Sequence, residues 1–349
     1  MLLLTNQREK KTKILPININ IIPRCYQYVS YAISIASNHT NFEEWFVDNY
    51  IQLFFDKDNI GRNIMLDYLG GTIFDSMQLL NYRDYEVEKR FLIDGKNILN
   101  FVENSINCNM YICTYLDEYY IKDRVSYKIK HFEHDTLIYG YDFSNGYIYI
   151  VGYNHLGRYE TQAIPIDDFI NAFKTKDELL KQICLNHNVY TYDLDRVKKM
   201  LSDYVYHVDN RTKLECYLDL STDSFLVGKL RYHKNFVFGI NIYDGIKEYI
   251  NYLFFFNTDL DTRLFYTLYE HKLCMVKRFN LIAKFTQIDM SDTLSRYQEM
   301  LKHSQLILRL GIKYEITKEK KLLLKMSELI DEIVEKEVNC LINVITTVK

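Results

Sequence analysis

Apolar and polar residues alternate over 14–22 (ILPININII), with Ile17, Ile19 and Ile21 on one face and Asn18 and Asn20 on the other. That period of two predicts an extended, strand-like segment. Pro23 then opens a new element. Residues 25–37 (CYQYVSYAISIAS) hold no proline or glycine and intersperse small residues among apolar ones, which predicts a helix buried on most faces. A second helical stretch covers 42–55 around the only tryptophan, Trp45. Residues 59–106 read as mostly helical, with a break at Gly70-Gly71.

The texture changes near 109. NMYICTYLDEYYI (109–121) is dense in aromatic and β-branched residues, as strands are. HDTLIYGYD (134–142), a Ser144-Asn145-Gly146 turn, YIYIVGY (147–153) and RYETQAIPI (158–166) follow, so 110–166 reads as an antiparallel sheet of about four strands. After Pro165, helical spacing returns at 166–173, 193–206, 243–256, 261–282, 291–310 and 316–347, with a small β element within 212–240. The expected class is α+β, with a catalytic domain over 1–175 and a mainly helical domain over 176–349. The last helix is amphipathic and suits packing or a homodimer contact.

Composition narrows the function. A net charge of −3 gives no electrostatic case for nucleic acid or an anionic membrane. The apolar runs are far shorter than a membrane span, and MLLL is too short for a signal core. Seven cysteines, an odd number in a long chain, predict reduced thiols in the cytoplasm. No Cys/His grouping has zinc spacing, so no metal and no bound cofactor are expected.

A thiol becomes a useful nucleophile when a helix N-terminus and a nearby imidazolium stabilise its thiolate. Cys25 follows Pro23-Arg24 at the head of the apolar helix, and His134 opens a strand. A third group must orient the imidazole.

Cys25 on a buried helix, then His134, Gly140-Tyr141 six and seven residues later, and the strand Tyr147-Ile148-Tyr149-Ile150 resemble the papain-like cysteine peptidases. The YDGIKEYI and YEHKLCMVKRF stretches extend the likeness to papain-like acyltransferases of non-ribosomal peptide clusters, of the butirosin acyltransferase and closthioamide amide-forming ligase types. The resemblance implies a papain-like fold and thiol-dependent acyl transfer. An acyl group would pass from the phosphopantetheine thioester of a carrier protein, through acyl-Cys25, to a small-molecule amine.

The pattern departs at the third residue, where Gly152 stands in place of the orienting asparagine. Asn154, two residues on, and Asp142, eight residues after His134, are the alternatives. For the oxyanion hole the resemblance implies the Cys25 N–H and an upstream amide side chain, for which Asn20 is the candidate. Asp117 and Glu118 are weighed as binders of the substrate amine, and His131, His271 and Gln27 read as structural or surface residues. Two rivals remain: a peptidase or thioesterase with the same residues, and a non-catalytic scaffold that binds synthetase domains.

Overall fold

A computed structural model describes residues 12–63, 65–69, 77–84, 95–174, 179–209 and 235–347. The fold is α+β, with a large helical C-terminal half. The chain divides into two compact units that interleave along the sequence, where the sequence suggested one cut near 175. The sheet unit takes Met1–Ile21, Gln27–His39 and Leu79–His187, and the helical unit takes Ile22–Tyr26, Thr40–Gln78 and Asn188–Lys349.

In the sheet unit, β1 (Thr12–Ile14), β4 (Leu80–Asp84), β5 (Tyr111–Asp117), β6 (Glu133–Asp142), β7 (Tyr147–Tyr153), β8 (Tyr159–Pro165) and β9 (Leu180–Leu185) form one antiparallel sheet. Its order is β4-β9-β5-β6-β7-β8. Strand β6 is the hinge of the arrangement. Residues 133–138 pair with β5, and residues 140–142 pair with β1 on that same side, beyond the end of β5. Gly140 serves this crossing, because a Cβ there would lie 2.9 Å from the Lys13 carbonyl oxygen. Helix α1 (Gln27–Ala36) packs on β6, β7 and β9, and Val29 through Ala36 are all buried, as its mixture of small and apolar residues predicts. Helices α3 (Gly95–Asn107) and α4 (Ile166–Phe173) also pack on the sheet.

The helical unit holds a small antiparallel sheet of β2 (Leu53–Asp56), β3 (Leu66–Tyr68) and β10 (Phe236–Phe238) in the order β10-β2-β3. Around it lie α2 (Phe42–Asp48), α5 (Leu194–Val205), α6 (Ile242–Phe256), α7 (Thr262–Thr286), α8 (Ser291–Thr317) and α9 (Lys320–Thr347). Residues in the left-handed conformation (Asn257, Gln287 and Lys318) end α6, α7 and α8. Asp261 caps α7 by accepting the Arg263 N–H, and its carboxylate also pairs with the Arg263 guanidinium.

The helical reading of 42–55 and 59–106 needs correction. Within it, 53–56, 66–68 and 80–84 are strands, and α3 spans Gly95–Asn107. Strand β2 is buried at all four positions, so no polar alternation marks it. The Gly70-Gly71 break, Cys216 and most of 212–240 lie outside the described residues.

Candidate functional site

His134 is the second residue of β6, so the strand fixes its backbone and the sheet unit supplies its partners. Its Nδ1 lies 2.8 Å from Gln27 Nε2 and 2.9 Å from Asp135 Oδ1. Two backbone groups set the Gln27 amide: Nε2 donates to the Asp135 carbonyl at 2.5 Å, and Oε1 accepts the Tyr153 N–H at 3.3 Å. The second Nε2 hydrogen therefore faces the ring, and a neutral His134 accepts it at Nδ1 and carries its own proton on Nε2. A protonated ring turns an Nδ1–H toward the Asp135 carboxylate instead. Gln27 thus serves the neutral imidazole and Asp135 the charged one. Burial by itself lowers the His134 pKa, but Asp135, with Glu118 behind it, outweighs burial and holds it above the usual histidine value.

Behind the ring, burial raises the carboxyl of Glu118 against the opposing pull of Arg124 and His134. The buried Arg124 guanidinium donates to the Tyr153 carbonyl. It fills the space where the asparagine of the papain pattern would project, since a Cβ on Gly152 would lie 2.6 Å from Arg124 Nη2. Gly152 is therefore where the arginine enters.

Two expected orienting residues are elsewhere occupied. Asp142 stands at the other end of β6, eight residues and about 26 Å of strand from His134. There its carboxylate accepts from the Thr12 hydroxyl, the Ser144 and Asn145 N–H groups and the Asn145 side chain, as a turn opener does. Asn154 is engaged in its own turn, where Oδ1 accepts the Leu156 and Arg158 N–H groups and Nδ2 donates to Glu160 at 2.6 Å. His134 is held by Gln27, expected to be a surface residue, and by Asp135. Asn20 is exposed, and its N–H donates to Asn18 Oδ1 at 2.9 Å. His131 pairs with Asp117 at 2.5 Å.

Cys25 belongs to the helical unit, so the expected thiol–imidazole pair has one member in each unit. The residue lies in a bend two positions before α1, not at its first turn. Glu270, on α7 and only 3% exposed, gathers this bend from below. Its Oε2 accepts the Arg24 N–H at 2.8 Å. Burial pushes the Cys25 thiol well above its usual value, and the Glu270 and Asp67 carboxylates push it the same way. This is the reverse of the thiolate environment expected from the sequence. Burial in turn raises Glu270 to about 7, against the Arg24 N–H hydrogen bond that favours its charge.

Elsewhere in the helical unit His271, Lys272 and Glu337 form a fully buried group. Lys272 donates to Glu337, which also accepts from Tyr243 at 2.5 Å and Tyr297 at 3.1 Å. His271 bonds the Ile51 carbonyl through Nε2, so it is structural. Among the described residues, no cluster of three or more His, Cys, Asp or Glu side chains is placed to hold a metal ion, and no helix is long and apolar enough to cross a membrane. No protein-family model and no curated protein matches this chain.

Proposed function

We propose that this protein is a cytoplasmic amide-forming acyltransferase of papain-like type, in which Cys25 carries the acyl group and His134 carries the protons. The observation that supports it best is the double anchoring of His134, because the residue that holds the neutral ring, Gln27, stands two positions after Cys25 in the chain. A side chain tethered that near the thiol in sequence orients an imidazole whose two protonation states each have a dedicated partner. A general acid–base group needs both states.

In the proposed reaction the Cys25 sulfur adds to the carbonyl of a carrier-protein thioester while its proton passes to neutral His134. The phosphopantetheine thiolate leaves and takes that proton, so acyl-Cys25 and the free carrier thiol are formed. A small-molecule amine then attacks acyl-Cys25, His134 accepts the amine proton, and the amide leaves as the proton returns to the Cys25 sulfur. Hydrolysis differs only in the second nucleophile, so the reading requires that amine outcompete water.

The test is the intact mass of the protein after incubation with acyl-loaded carrier protein. The expected result is a +acyl adduct on the wild-type chain, absent in Cys25→Ala and discharged as amide when amine is added. Acid released with no amide would replace the ligase reading with a thioesterase. No adduct, together with unchanged pathway output from Cys25→Ala, would point to a scaffold.

A further inference from the structure

Resting on the reading of a carrier-protein thioester as the acyl donor, we propose that the loop over 122–132 is the surface on which an acidic face of that carrier protein docks. Lys122, Lys128 and Lys130 are exposed there, and so are the apolar side chains of Val125 (63%), Ile129 (77%) and Phe132 (43%). One exposed apolar residue means little. Three in a short ordered segment, interspersed with cations, mark a contact surface.

The backbone of this loop is built. The Lys128 N–H donates to the Tyr119 carbonyl at 3.1 Å, the Tyr127 N–H to the Arg124 carbonyl at 3.2 Å and the Ile129 N–H to the Ser126 carbonyl at 3.0 Å. From the neighbouring strands, the Gln162 amide donates to the Lys122 carbonyl, and the His155 N–H donates to the Asp123 carbonyl at 2.7 Å. Arg124 and Ser126 are buried. The apolar side chains are therefore held in solvent by a fixed backbone, and docking on them costs little ordering of the chain.

Charge sets this surface apart. Along helices α6 to α9, Lys247, Lys284, Lys325 and Lys336 each pair with a carboxylate at 2.9 Å or less. Among the described residues, Lys122, Lys128 and Lys130 make no ion pair. Lys128 Nζ lies over the rings of Tyr119 and Tyr120, at 4.9 and 5.2 Å, and Lys130 Nζ lies 5.5 Å over Phe132. Asp123 is the only acid of these eleven residues, in a chain whose net charge is −3. Such a surface attracts acidic side chains and the phosphodiester of a phosphopantetheine arm. Nucleic acid or a free anion would have no use for the apolar side chains among the lysines. The place also fits delivery: Phe132 directly precedes β6, and its ring lies 5.4 Å from that of His134.

The test uses the phosphopantetheinylated carrier protein of the acylation assay, fluorescently labelled, and the full chain carrying Cys25→Ala to prevent covalent transfer. Binding is followed by anisotropy between about 50 and 300 mM salt. Adding Lys128→Glu/Lys130→Glu is expected to weaken binding at least about tenfold and to flatten its salt dependence. Lys302→Glu/Lys313→Glu makes the same charge change at exposed positions of α8 and is expected to bind as its parent does. Equal weakening by both pairs or by neither, or no binding by the parent chain, would overturn the proposal. Should the loop pair fail to fold, Lys122→Glu and Ile129→Ser decide, and unchanged binding in both would again overturn it. Anionic phospholipid vesicles bound through this loop in place of the carrier protein, or a dimer of the chain alone that the loop pair dissociates, would assign the surface to another occupant and overturn it likewise. A chain that binds the carrier protein through this loop but forms no acyl adduct would sink the acyltransferase reading and leave the docking surface standing. Acyl-Cys25 formed as fast with the loop pair as without it would do the reverse.

Discussion

In the sheet unit a carboxylate, Asp135, lies beside an imidazole; in the helical unit a carboxylate, Glu270, lies beside a thiol. Both neighbours are pushed upward in pKa, with opposite results. The imidazole, whose protonated form is the cation, gains charge. The thiol, whose deprotonated form is the anion, loses it. A like shift in two sites of one protein thus favours the cation at His134 and the neutral thiol at Cys25. Solvent access separates them further: Asp135 and His134 are part-exposed, while Glu270 is almost wholly enclosed and is itself lifted to about 7.

The comparison is broken most severely at the third carboxylate, Glu337, which has an ammonium beside it and no exposure at all. Lys272→Met should leave an uncompensated buried charge and lower stability by about 3–5 kcal/mol in denaturant unfolding, with Lys272→Met/Glu337→Leu recovering much of the loss. A single variant as stable as the wild type would mean that Glu337 is neutral and that burial alone governs this unit.

A smaller effect tests the sheet unit. Gly152→Asn restores the residue expected from the papain pattern but drives its Cβ into the Arg124 guanidinium at 2.6 Å. Overpacking of this kind costs about 1–3 kcal/mol, and the variant should melt at lower temperature with no gain in acylation. Faster acylation would show that the asparagine position still orients His134 and that Gln27 does not replace it.

The smallest effect is spectroscopic. Asp135→Asn should lower the His134 pKa, followed by the imidazole resonances in NMR, because the group that favours the cation is gone. The sign carries to stability. The His134 pKa is raised in the folded state, so its contribution is complete below the unfolded value of about 6.5 and is lost as pH rises through the folded value. Asp135→Asn should therefore destabilise the protein on the acid side of that window and leave the alkaline side unchanged.

These sites were unequally legible in the sequence. Strands β6, β7 and β8 are marked by alternation and by the Asn-Gly turn, so the setting of His134 could be read directly. Helices α5 to α9 also match, because their apolar spacing is long and regular. Strands β2, β3 and β4 have three to five residues and too little length to show a period. Strand β9 draws its identity from pairing with β4 and β5, which no local pattern reveals. At the site, Gln27 resembles any polar residue on a helix, and its role follows from two backbone groups more than a hundred residues away. Glu270 is further still, 246 residues beyond the Arg24 N–H that it accepts, within a helix whose charges look like solvent-facing ones. Asp142 and Asn154 were attractive as turn-adjacent acceptors, and the turns themselves took them.

The interleaving of the two units has a practical consequence for dissecting the molecule. The chain passes from one unit to the other at residues 21–22, 26–27, 39–40, 78–79 and 187–188, so neither unit is a continuous stretch. A truncation after 187 would strip 22–26 and 40–78 of the helices they fold with, and a fragment starting at 188 would lack β2, the partner of β10, and β3, which pairs with β2. Limited proteolysis followed by expression of the pieces, the usual route to an isolated domain, has no suitable place to cut here. Functional dissection has to proceed by side-chain substitution in the whole chain.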